Sequence, residues 1–193
     1  MSQPTRVVIA EDEAIIRLDL KELLQEEGYD VVAETGRGDE AVELIRDHKP
    51  DLAILDIKMP GMDGLEAAAQ VNSERICPVL ILTAFSQRDL IDQARDAGAL
   101  AYLVKPFQRD DLIPAIEVAR GRFAEIEALE SEVEDLTERL AARKVVDRAK
   151  GALMDSAGLD EQSAWRFLQS TAMDRRLKIH EVAALVVDEG LRP

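Results

Sequence analysis

Along the first 120 positions, short apolar runs alternate with stretches whose apolar residues recur every three or four positions. Residues 6–10 (Arg-Val-Val-Ile-Ala) read as a buried strand. Ile15, Ile16, Leu18, Leu20, Leu23 and Leu24 follow at helical spacing, and Gly28 closes that helix. The cycle repeats, with strands over 30–34, 52–55, 79–82 and 101–104 and helices over 39–47, 64–71, 87–97 and 110–120. Pro50 and Pro78 stand at the entrances to two strands, and Gly98 ends a helix. Continuously apolar strands separated by amphipathic helices predict an α/β fold, a five-stranded parallel sheet covered on both faces.

The pattern then changes. Ile126, Leu129, Val133, Leu136 and Leu140 are spaced 3, 4, 3, 4, with polar residues, mostly Glu, between them. That is a coiled-coil stripe of about two heptads. It predicts either pairing with its twin in a homodimer or packing as an ordinary amphipathic helix. Neither Pro nor Gly interrupts residues 123–150, so the stripe and the next apolar set (Val145, Val146, Ala149, Ala152, Leu153) can share one long helix. Gly158 marks a break, and Asp160 can cap a second helix bearing Ala164, Trp165, Leu168 and Ala172. A third helix is predicted over 177–188, with Ile179, Val182, Ala183, Val186 and Val187 inward. The expected domains are therefore 1–120, a helical linker over 121–142, and a small three-helical domain over 143–193.

Charge sharpens this division. The chain carries a net charge of -15, which argues against nonspecific nucleic-acid binding by the molecule as a whole. The balance is -11 over residues 1–120, -5 over 121–140 and +1 over 141–193. Between Arg143 and His180, 8 basic residues face 5 acidic ones, so a polyanion partner for the tail becomes as plausible as a plain solvated surface. The lone Cys77 leaves no intrachain disulfide and reads as a semi-buried thiol. Without a signal-peptide pattern or a membrane-length apolar stretch, the expected location is cytoplasmic, with no membrane association.

Candidate chemistry concentrates at strand ends, where ligands sit in open parallel sheets. Glu11 and Asp12 follow the first strand, Asp56 ends the third, Thr83 follows the fourth and Lys105 the fifth. Singly, each is an ordinary cap, turn or surface residue; together in one layer they form a specific set. A carboxylate such as Asp56 can accept a phosphoryl group. Mg²⁺ suits the oxygens, with Asp12, Asp56 and the backbone carbonyl of Lys58 as ligands and Glu11 acting through water. Lys105 and Thr83 can each hold one phosphoryl oxygen. The Lys105–Pro106 bond is a candidate for the cis form.

The tail offers no zinc-ligand spacing, no Gly-rich phosphate loop and no basic-aromatic interleaving. It offers cations instead: Lys144, Arg148 and Lys150 near Gly151, then Arg175, Arg176 and Lys178. Gly151 costs helix stability, so it either permits close helix packing or admits a ligand backbone. Trp165 is expected in the core rather than as a base-stacking platform.

Two resemblances follow. Residues 5–120 resemble a response-regulator receiver domain through Glu11-Asp12, Asp56 with Met59-Pro60-Gly61-Met62-Asp63-Gly64, Thr83-Ala84, and Gly98-Ala99 through Tyr102 to Lys105-Pro106-Phe107. The resemblance implies a flavodoxin-like sheet, phosphorylation of Asp56 by a sensor histidine kinase, slow dephosphorylation, and Thr83 with Tyr102 as a switch pair. Glu-Asp replaces the Asp-Asp common in that family. Residues 143–187 resemble an ANTAR domain through Ala149-Lys150-Gly151, Leu153-Met154, Gly158-Leu159, Ala164, Leu168, Ala172-Met173, Arg176 and Val182-Ala183. That resemblance implies binding of stem-loop RNA and transcription antitermination, with Lys144, Arg148, Lys150, Arg175 and Arg176 as the expected RNA contacts. The alternatives are a phosphorylation-gated DNA-binding or protein-binding regulator, although Glu181, Asp188 and Glu189 make the last helix too acidic for a DNA-recognition helix.

Overall fold

The computed structural model describes residues 3–84 and 88–193. The chain forms two compact units, Met1–Glu127 and Ala128–Pro193.

The first unit is built on five strands: β1 (Arg6–Ala10), β2 (Asp30–Thr35), β3 (Leu52–Asp56), β4 (Val79–Thr83) and β5 (Ala101–Val104). They pair in the order β2-β1-β3-β4-β5, with every pair parallel. Between them run α1 (Ala14–Glu26), α2 (Gly38–His48), α3 (Gly64–Ser73) and α4 (Arg88–Asp96). The expected start of α4 at Gln87 lies outside the described residues. Side chains alternate across the pleat, so each strand feeds two cores. Val8, Ala10, Ala53, Leu55, Val79 and Ile81 pack against α2 and α3. Val7, Ile9, Leu52, Ile54, Leu80 and Leu82 pack on the other face, against Leu20 and Leu24 of α1 and Leu112 and Ile116 further along the chain.

Helix α1 uses only part of its apolar set. Leu20 and Leu24 are buried, whereas Ile15 is 78% exposed and Leu18 is also exposed. These two lie off the row that meets the sheet.

The final helix of the first unit does not end near residue 120. Helix α5 spans Arg109–Ala157, with Pro114 in its second turn. Its first turns bury Leu112, Ile116 and Ala119 on the sheet. Its last turns bury Ala149 and Leu153 in a separate core, with Ala164, Leu168 and Ala172 of α6 (Glu161–Arg175) and Val182, Ala183 and Val186 of α7 (Ile179–Asp188). As expected, α5 stops before Gly158, where φ is +65°, and the Asp160 carboxylate accepts a bond from Ser163 N at 2.7 Å. The inward residues of α7 match the expected row, with Ile179 and Val187 partly buried beside the core.

In the second unit one expectation fails, and one of two open readings is set aside. Trp165 is 40% exposed rather than in the core. Ala164, Leu168 and Ala172 form the buried row at spacing four, and one residue further turns Trp165 about 100° away from it. Gly151 does not serve close packing either: a Cβ built there meets nothing within 4 Å.

Candidate functional site

The parallel order delivers the acidic residues to one edge. β1 and β3 are neighbours in register, Ala10 opposite Leu55, so Glu11 and Asp56 emerge side by side. Asp56 pairs in register with Leu82, which brings Thr83 to the same layer. Lys105 follows β5, and its N–H donates to the Thr83 carbonyl at 2.7 Å. The Lys105–Pro106 bond is cis. Close backbone approach holds the loop after β3 in place: Gly64 N donates to Ile57 O at 2.8 Å, and any Cβ on Gly64 would overlap the Asp56 carbonyl.

At this edge, ligand atoms of Glu11, Asp12 and Asp56 lie within 4.8 Å of one another. Glu11 and Asp56 are buried, and Asp12 is exposed. The Lys105 ammonium bridges the two buried carboxylates, 2.5 Å from Glu11 Oε2 and 2.9 Å from Asp56 Oδ1. Thr83 is buried beside them, and Lys58 is exposed in the loop after Asp56. Tyr102, on β5, is 45% exposed.

Burial raises the Glu11 carboxyl above its ordinary range, and the Asp56 charge adds to this while Lys105 opposes it. For Lys105, burial acts downward, but its contacts with Glu11 and Asp56 outweigh burial and raise it. The lysine therefore stays charged between two acids. With Asp12, three carboxylates still face one ammonium. An all-oxygen, net-negative donor set suits a hard divalent cation. It is the kind of acidic cluster that receiver domains use for Mg²⁺.

Sequence reasoning did not single out Arg17. One turn into α1, its Nη1 donates to the Glu11 carbonyl at 2.5 Å, while Glu13 N donates to Glu11 Oε1 at 3.2 Å. Glu11 is thus tied at both backbone and side chain. Only the spacing of Arg17 from Glu11 across a helix start could have signalled this.

A scan against protein-family models matches residues 7–117 to the response regulator receiver domain and residues 134–187 to the ANTAR domain. This chain belongs to the response regulator family. Its receiver carries an ANTAR output, the architecture of a phosphorylation-regulated RNA-binding antiterminator. The transcriptional regulatory protein PdtaR of Mycobacterium tuberculosis is 59% identical over 185 residues, 96% of this chain and 90% of the relative. The chemotaxis protein CheY of Bacillus subtilis is 38% identical over 112 residues, covering 58% of this chain and 93% of that protein. The receiver of the response regulator NarL from M. tuberculosis aligns with TM-score 0.60 at 34% identity, over 62% of this chain and 98% of that one. A complex of CheX with CheY, BeF3 and Mg from Borrelia burgdorferi aligns with TM-score 0.56 at 26% identity, over 58% of this chain and 87% of that one.

The expected RNA contacts of this response regulator lie on α5 and at the end of α6. Lys144 and Arg148 are exposed on α5, Arg175 ends α6, and Arg176 follows it with φ +56°. Lys150 is engaged within the protein, with Nζ 3.1 Å from Asp147 and 2.9 Å from Glu161. Among the described residues, no helix is long and apolar enough to cross a membrane.

Proposed function

We propose that Asp56 accepts a phosphoryl group from a sensor histidine kinase, and that its phosphorylation governs how residues 143–193 engage stem-loop RNA during transcription. The domain limits of this reading are 1–120 for the phosphoacceptor, 121–142 for the linker and 143–193 for the output. The observation that carries it is Lys105 bridging Glu11 and Asp56 at the carboxyl edge of the sheet.

In this reading a carboxylate oxygen of Asp56 attacks phosphorus as the N–P bond to the kinase's phosphohistidine breaks, which forms an acyl phosphate and releases the imidazole. Lys105, already 2.9 Å from Asp56, is placed to pair with a phosphoryl oxygen, and the Thr83 hydroxyl with another. Asp12, Asp56 and the Lys58 carbonyl would hold Mg²⁺, with Glu11 acting through water; the ion would neutralise charge on the phosphoryl group. The presence of BeF3 and Mg in the CheY complex supports that choice of metal. Tyr102, exposed here, turns inward when Thr83 moves toward the phosphoryl group. Lys144, Arg148, Arg175 and Arg176 contact RNA phosphates, with Lys150 contributing once its acidic partners release it. The α5 stripe supports a homodimer, because Leu129, Val133, Leu136 and Leu140 are exposed at coiled-coil spacing. A cytoplasmic location fits a partner that is nascent RNA.

The test is mass spectrometry after incubation with a small phosphodonor and Mg²⁺. The chain should gain one phosphoryl group, and Asp56→Ala should gain none. Equal labelling of both proteins, or labelling that is indifferent to Mg²⁺, would reject the phosphoacceptor assignment.

A further inference from the structure

The second unit contains a groove of about 740 Å³ that no linear motif announces. Three segments wall it: α5 from Ala142 to Lys150, one face of α6, and the turn into α7. Trp165, Met173 and Leu177 form an apolar surface, all three substantially exposed. Arg143, Lys178 and His180 stand around it. Lys150 also lines the groove but is held by Asp147 and Glu161, whereas Arg143 and Lys178 make no ion pair among the described residues. An exposed apolar surface rimmed by cations marks a place for a ligand of matching character.

The matching ligand combines a flat apolar face with a neighbouring negative charge. An unpaired nucleotide has both: a base that stacks on an aromatic ring and a phosphate that pairs with Arg or Lys. A base inside a duplex has its faces covered by its neighbours, so only a base turned out of a loop or bulge can reach the indole. We infer that this groove is a loop-base subsite, in which Trp165 stacks with one unpaired RNA base while Arg143 and Lys178 hold its flanking phosphates. The inference rests on the RNA-binding reading above and adds to it. The stem would be gripped by cations outside the groove, and the loop read at Trp165, for which sequence reasoning favoured the core over a base-stacking role.

The chain has one tryptophan, so its fluorescence reports on the groove alone. The experiment starts by selecting binders with the full-length, phosphodonor-treated protein from hairpins that share one stem and differ in randomised loops. The selected hairpins should quench Trp165 emission, and the bare stem duplex should not. Trp165→Leu should weaken hairpin binding about 5- to 100-fold, with Trp165→Phe recovering most of it. Arg143→Gln and Lys178→Gln should each reduce the salt dependence by about one phosphate contact. If the selected hairpins bind Trp165→Leu within about twofold of wild type, the subsite is wrong while RNA binding stands. If the wild-type chain selects no hairpin, both readings fall, and a protein partner becomes the occupant to seek. Should Trp165→Leu fail to fold, the wild-type quenching decides alone: equal quenching by stem and hairpin, or none by either, overturns the assignment.

Discussion

Lys105 is the counter-charge for two buried acids, so its removal should be felt first as instability. Lys105→Met leaves Glu11 and Asp56 facing each other with no ammonium between them. It should cost about 2–4 kcal/mol at neutral pH, measured by denaturant unfolding without metal. Added Mg²⁺ should recover more stability in this variant than in wild type. The pH dependence has a definite sign. The Glu11 carboxyl is raised by burial, so its contribution is present below its unfolded pKa and is lost as pH rises through the folded value. Lys105 holds that carboxyl down, so in Lys105→Met it should rise further, and the deficit should shrink as pH falls; a deficit that grew on acidification would contradict the ion-pair account. Gly151 makes the opposite prediction. With open space where its Cβ would point, Gly151→Ala should stabilise α5 by about 0.5–1 kcal/mol. If RNA backbone approaches there, the same change should weaken hairpin binding in a filter or mobility assay. A gain in stability with unchanged binding would leave the glycine without a role in recognition. At this scale the pocket residues were legible, because a parallel sheet sends the ends of its strands to one edge and the apolar runs mark where each strand stops. Arg17 was not legible. Its contact depends on how α1 turns back over the Glu11 carbonyl, a matter of three-dimensional path rather than of residue type.

Among the elements, β1 through β5 and the helices between them could be placed to within a few residues, since apolar runs and helical spacing are both strong signals. The end of the receiver was harder to see, because α5 continues to Ala157 without a terminator. Gly121 lies inside that helix and did not break it. Apolar periodicity also overstated burial on α1, where Ile15 and Leu18 face outward, and on α6, where Trp165 does. A helical pattern tells which residues share a stripe but not how wide a stripe the neighbours cover. The stripe on α5 carries its own prediction. Val133, Leu136 and Leu140 are between 55% and 62% exposed, and a charge among them should prevent self-pairing. Leu136→Lys should sediment as a monomer under phosphodonor conditions in which the wild type is a dimer. It should keep its far-UV circular dichroism, because Leu136 supports no intramolecular core. A variant that still dimerised would move the interface elsewhere.

For the molecule as a whole, charge is distributed against the presumed ligand. Residues 1–140 are strongly acidic and residues 141–193 nearly balanced, so under the proposed function RNA contact should be confined to a patch of the tail. Hairpin affinity should fall with salt along a shallow slope, equivalent to only a few phosphate contacts at about 0.7–0.9 per contact, measured by titration at several ionic strengths. A slope equivalent to ten contacts would require a far larger basic surface than the sequence supplies. Function was readable at this scale because two signatures stand in order along one chain. The loop-base groove was not readable, since its walls come from three separate helical segments.

The bridging position of Lys105 has a consequence for reversibility. Under the proposed function, a phosphoryl group arriving on Asp56 meets an ammonium already shared by two carboxylates, so the lysine contact it gains competes with Glu11 and Asp56. The contact left to Glu11 would then be weaker than in the resting pocket. Hydrolysis would give the lysine back to both carboxylates, which would favour return to the resting arrangement.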